Sequence, residues 1–202
     1  MPKKFLTSFS YIFHPIFIPV YATLFYLFLN QSYIINTEKD IILLQVTIVT
    51  IVIPILFFLL LRFTGRISSM MAPVLSERKM PLVIQCFLLI ILIRKSITID
   101  RYTELHFFLL GALVSTLLAL LLLFVKTKAS LHMAGVSGLT VFIFGLSILH
   151  QIPNTLLIVF MVLMNGFVAS SRLIMKAHTL KELIIGILLG SIPQMLFLYL
   201  WL

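Results

Sequence analysis

Along the chain, long apolar blocks alternate with short polar connections that are mostly basic. A helix crossing a bilayer needs roughly 20 apolar residues, with about 17 as a lower limit. Residues 10–30, 41–62, 105–125, 133–149, 154–170 and 183–202 meet that requirement. Pro15 and Pro19 predict a kink in the first turns of the first block, tolerable where neighbouring groups re-satisfy the freed carbonyls. The block 81–93 (PLVIQCFLLIILI) is shorter and is stopped by Arg94-Lys95. It reads as a thin seventh span or as a helix buried against the others. The last three spans are rich in Gly, Ser and Ala. Within them Gly186-Ile-Leu-Leu-Gly190, and Gly135 with Gly138, predict close helix packing. The expected fold is an all-α membrane bundle of six to seven transmembrane helices, one domain over residues 1–202. It has no repeat, no linker and no soluble appendage large enough to fold alone. The apolar stretch after Lys3 and Lys4 is too long for a signal peptide and lacks a small-residue cleavage site, so the N-terminus reads as part of the domain.

Composition agrees and removes other classes. Of 202 residues, 61% are hydrophobic and 10% charged, against about 45–50% and about 25% in soluble domains. A soluble globule, a disordered chain and a disulfide scaffold are excluded together, and Cys86 can form no internal bridge. Lys and Arg number 15 against 6 Asp and Glu, a net charge of +9. In a membrane chain such cations orient the helices before they suggest nucleic acid, which is not an expected partner. With seven spans, the loops 63–80, 126–132 and 171–182 share the N-terminal side. The opposite side keeps only Lys39, Arg94, Lys95 and Arg101 of the 15 basic residues. That bias predicts a cytoplasmic location for the basic loops.

The scarce polar residues carry the candidate chemistry. His14, His106 and His150 read as interfacial or helix-packing side chains. His132 and His178 lie in basic loops on one face of the membrane, each where a helix begins or ends. In 171–186 (SRLIMKAHTLKELIIG), Arg172 precedes His178 by six positions and His178 precedes Glu182 by four. A four-residue step places His178 and Glu182 on one helix face. The carboxylate can accept the proton of one ring nitrogen and leave the other as nucleophile or base. Arg172 offers a planar donor fork suited to phosphate oxygens. In 128–138 (KASLHMAGVSG), Ser130 is a natural N-cap, and free N–H groups at a helix start attract anions. His132, in that first turn, reads as a general acid beside bound phosphate or as an interfacial histidine on a capped helix. In 76–83 (SERKMPLV), Arg78 and Lys79 precede Pro81, a good first-turn residue. They read as anion ligands or as the positive flank of a span. No Walker-type loop, CxxC pair or HExxH helix is present.

Three basic segments in this order, on one side of a helical membrane domain, resemble the type 2 phosphatidic acid phosphatase superfamily. The family's third motif is Ser-Arg, five residues, His, three residues, Asp, then an apolar residue and Gly. Ser171, Arg172, His178, Glu182, Leu183 and Gly186 fall on those positions, with Glu replacing Asp. The second motif, Pro-Ser-Gly-His, is similar to Ala129-Ser130-Leu131-His132. The first, a lysine followed seven and eight residues later by Arg-Pro, is reduced to Arg78, Lys79 and Pro81. The resemblance covers about residues 76–190, and only the third motif is specific by itself. It implies a metal-independent lipid phosphatase in a bacterial inner membrane, without cofactor. By resemblance, His178 attacks phosphorus to form a phosphohistidine, Glu182 orients it, and His132 protonates the leaving oxygen. Arg172, Arg78 or Lys79, Ser171 and the N–H groups around Ser130 hold the phosphate.

The implied substrate is a lipid phosphate or polyprenyl diphosphate, with membrane lipids as surroundings. Leu131 stands where the family has glycine, which motivates a second reading: an inactive relative that binds anionic lipid or scaffolds a membrane partner. A small transporter is a third, disfavoured because the polar residues gather at helix ends rather than at mid-depth.

Overall fold

The computed structural model describes residues 3–30, 34–65 and 76–202. They form helices α1 (Lys3–Ile12), α2 (Ile18–Leu29), α3 (Asn36–Thr47), α4 (Ile53–Phe63), α5 (Lys79–Lys95), α6 (Thr103–Phe124), α7 (Leu131–Leu149), α8 (Thr155–Ile174) and α9 (Leu180–Trp201). No strand occurs among the described residues, so the protein is an all-α polytopic bundle. Five stretches are long and apolar enough to cross a membrane: Asn36–Phe63, Thr103–Phe124, Leu131–Leu149, Thr155–Ile174 and Leu180–Trp201. The chain is an integral membrane protein. The pair Phe5–Ile12 and Pro15–Leu29, bent by 43°, makes a sixth crossing if it acts as one broken span, and otherwise a re-entrant loop. The break falls where the prolines predict it. Arg66 and the side chains of Lys3 and Lys4, counted among the orienting cations, lie outside the described residues.

Helices α3 and α4 run on through a π turn at Ile48–Val52 to make one 28-residue rod. Pro54 lies at the start of α4, so its missing N–H falls at this irregular turn. Helix α5 has 17 residues, a rise of about 25 Å, short of the roughly 30 Å hydrocarbon core. It packs against α6 with Cys86, Leu89 and Leu92 buried. Arg78, just before α5, donates to the carbonyl of Ala129, just beyond α6, at 3.3 Å. The two helices therefore form a hairpin that returns the chain to the side it left.

At the centre stands α7, with 61% of its membrane stretch buried, against 22–28% for the other four. Its closest neighbour is α9, and glycine makes the approach possible. A Cβ on Gly190 would overlap the carbonyl of Ala134 and the hydroxyl of Ser137, and one on Gly186 would overlap the carbonyl of Ser130. The small-residue pattern thus brings two backbones into contact. It also sets their register, since the N–H of Ser130 donates to the carbonyl of Glu182 at 3.1 Å.

Three helices end without the usual glycine. Lys126, Gln151 and Lys176, after α6, α7 and α8, have φ of 55°, 52° and 52°. At the end of α8 the N–H of Ala177 reaches back to the carbonyl of Arg172 at 3.1 Å, and that of Lys176 to Leu173 at 2.9 Å. Left-handed backbone costs an L-residue roughly 1–2 kcal/mol, most for a β-branched side chain. The expected order of melting temperature in detergent is Lys176→Gly at or above wild type, with Lys176→Val below by about 2–4 °C per kcal/mol. A valine variant as stable as the glycine one would show that the turn is not strained.

Candidate functional site

The turn at Lys176 reverses the chain so that Arg172, in the last turn of α8, and His178, just before α9, face one cavity. Thr179 caps α9. Its hydroxyl accepts the N–H of Glu182 and the Glu182 carboxylate accepts the N–H of Thr179, both at 3.4 Å, a reciprocal capping box. The same carboxylate oxygen lies 2.7 Å from His178 Nδ1. The sequence predicts this pair through a shared helix face. The structure forms it differently, because His178 precedes the helix and the capping box carries Glu182 back to it. The carboxylate fixes the ring proton on Nδ1 and leaves the Nε2 lone pair free. His178 is 7% exposed. Burial holds its pKa below the ordinary 6.5; the hydrogen bond that Nδ1–H donates to Glu182 opposes this, and the charges of Lys128, Arg172 and Arg78 reinforce it. The downward shift favours the uncharged ring at neutral pH.

Arg172 is 4% exposed. One terminal nitrogen lies 3.8 Å from Met175 Sδ, and its Nε is a buried donor with no partner among the described residues. Arg78 also lines the cavity. Lys128 approaches from beyond α6 and donates to the carbonyl of Ala177 at 2.9 Å, tying the α6–α7 connection to the His178 turn.

Three other sequence candidates stand elsewhere. Lys79 is exposed and holds its ammonium 5.2 Å over the Phe124 ring, because α5 starts at this residue and turns it outward. Ser130 caps α7, accepting the N–H of Met133 at 3.4 Å. Its own N–H is committed to Glu182, so it joins two helices rather than facing the cavity. The Ser171 hydroxyl is buried 2.6 Å from that of Ser10 and links α8 to α1. None of the three is on the cavity wall.

His132 Nε2 lies 3.1 Å from the carbonyl of Ser10. A carbonyl can only accept, so Nε2 carries the proton and Nδ1 is the open position. Beside it is a residue read from sequence only as packing: the His14 ring stands 5.1 Å from that of His132 at 87° and also lines the cavity. The signal available was the His14-Pro15 pair, since a proline break leaves polar groups inside a span. Lys128 was equally hidden, as one flanking lysine among many.

The cavity holds about 200 Å³. Arg78, Arg172, His14, His132 and His178 make one part of its wall. Pro54, Phe58, Leu82, Leu89, Phe108 and Ala112 make much of the rest. Gln194, also on the wall, lies twelve residues beyond Glu182, about 18 Å along α9. The space therefore combines a cationic end with a long apolar flank, a form suited to an amphiphile. Leu131, at the position where the resembled family has glycine, is on the wall too. Among the described residues no group of three or more His, Cys, Asp or Glu is placed to hold a metal ion. Compared with known protein families, with characterised proteins and with solved structures, the chain matches none.

Proposed function

We propose that the protein is a lipid phosphatase of the type 2 phosphatidic acid phosphatase kind, acting on a phosphate monoester or diphosphate through a phosphohistidine. One observation carries this reading: an uncharged histidine, oriented by Glu182, faces a cavity with two guanidinium groups at the same end and apolar walls beyond. The headgroup then sits among cations while the chain stays in an apolar slot, and the low dielectric strengthens each contact to the phosphoryl oxygens.

In the first step His178 Nε2 bonds to phosphorus as the bond to the lipid oxygen breaks. The leaving oxygen takes the Nδ1 proton of His132 in its imidazolium form, in which Nε2–H still faces Ser10 and the second proton is held at Nδ1 beside the anionic phosphate. In the second step water attacks phosphorus and gives its proton to His132. The P–N bond breaks, inorganic phosphate leaves and His178 is regenerated. Phosphoryl transfer asks for positioning and charge stabilisation above all, and Arg172, with a spare buried donor, is placed to supply both. A bacterial inner membrane is the proposed setting, on the strength of the resemblance alone.

The direct test is a panel of phosphatidate, phosphatidylglycerol phosphate and polyprenyl diphosphate presented to purified protein with a chelator present. Release of phosphate from one of them is the expected result. Leu131 on the wall and Lys79 turned away favour one competing reading, an inactive binder of anionic lipid, which predicts binding across the panel and no release.

The protonation of His178 gives a further expectation. The reactive form exists above its folded pKa, so the acid limb of kcat/KM falls well below pH 6.5. Lys128→Met removes one of the charges that hold the pKa down, and the limb moves to higher pH. A limb unmoved in that variant would show that another group governs it.

A further inference from the structure

His14 lies outside all three motif segments, and nothing in the two steps above uses it. It sits where the first span breaks. The residue before a proline is biased to extended backbone, and His14, preceding Pro15, has φ −66° and ψ 138°. Its ring turns back to cap the short Pro15–Phe17 turn, with Nδ1 accepting the N–H of Ile16 at 3.3 Å. Only a lone pair can accept that bond, so the proton of the neutral ring is on Nε2. That N–H takes no partner among the described residues. The ring lines the cavity together with Arg172, His132 and His178, and Arg172 is close enough to act on it electrostatically.

Two donors are thus left over on one wall, the Nε2–H of His14 and the buried Nε–H of Arg172. Buried donors are normally paired, so an acceptor-rich ligand is what this wall lacks. The neutral form of His132 cannot serve, because its single N–H is committed to Ser10. A neutral imidazole also adds a donor without adding a charge that the neighbouring guanidinium would repel.

We propose that His14 is a third histidine of the site, an anion-binding residue whose Nε2–H donates to a non-bridging oxygen of the bound phosphoryl group. The proposal rests on the phosphatase reading. It names the donor that takes the place left where the resembled first motif is reduced and Lys79 points away.

Two substitutions separate binding from turn-capping. His14→Asn keeps an acceptor at the Nδ1 position, a good cap, and loses the distal donor. His14→Gln places an amide N–H near Nε2 and loses the cap. Orthophosphate binding to the full-length protein in detergent, measured by titration calorimetry beside a thermal melt of each variant, is the experiment. H14N is expected to melt like wild type and bind orthophosphate about tenfold more weakly, the effect of one hydrogen bond to an anion. H14Q is expected to stay within about threefold of wild type. H14N binding as tightly as wild type overturns the proposal and leaves the phosphatase reading standing. Equal weakening in both variants assigns the loss to the turn and also overturns it. A wild-type protein that binds no orthophosphate removes the proposal together with the reading beneath it.

Discussion

His178→Ala is expected to release phosphate from the preferred lipid at least about a thousandfold more slowly than wild type, the scale of removing a covalent nucleophile. The variant isolates chemistry from folding. The capping box that starts α9 is made by Thr179 and Glu182, not by His178, so the helix keeps its cap. The melting temperature should change by only a few degrees. Truncating the buried ring leaves the Glu182 carboxylate one partner short, but that carboxylate still accepts the N–H of Thr179. Turnover in detergent and a thermal melt on the same preparation check the expectation. Normal release by this variant would end the assignment of His178.

The second large effect is structural and lies well into α9. Gly190→Leu places a side chain where the backbone carbonyl of Ala134 already stands. Backbone cannot yield as a flexible side chain can, so α7 and α9 must separate. Overpacking costs about 1–3 kcal/mol where side chains can adjust, and here the upper end or more is expected. Function falls with stability, because α7 carries His132 and α9 begins beside His178 and Glu182. The Ser130–Glu182 bond that registers the two helix starts would be lost. Gly166→Ala is the matched control, as a Cβ at Gly166 meets nothing within 4 Å. In a helix interior that change should be neutral or stabilising by about 0.5–1 kcal/mol. Folded yield and melting temperature of the two variants give the comparison, and a leucine variant as stable as the control would refute the close contact.

The parts of this design that are local in the chain are legible in the sequence. Spans are legible because lipid demands a long apolar run, and the bend at Pro15 because proline imposes it. Gly186 and Gly190 announce a close helix contact by spacing, while the partner, α7, is known only from the structure. His178 with Glu182 is visible too, although the pair forms through a cap and not a shared helix face. What sequence does not resolve depends on rotation about a helix start. Arg78 and Lys79 are adjacent and equally basic, yet the onset of α5 sends one inward and the other over Phe124. Ser130 and Ser171 match the motif positions but are consumed by helix–helix hydrogen bonds. His14 could be placed only after the first span had bent toward α7, over a hundred residues away in the chain.

The phosphatase proposal turns on a covalent bond between phosphorus and His178 Nε2. The most direct measurement is a rapid acid-free quench of the protein with a radiolabelled lipid phosphate, followed by proteolysis and mass spectrometry of the labelled peptide. The expected product is an acid-labile, base-stable phosphohistidine on the peptide containing His178, absent from the His178→Ala variant. Turnover of the lipid with no such adduct, or with the label on another residue, would contradict the proposal.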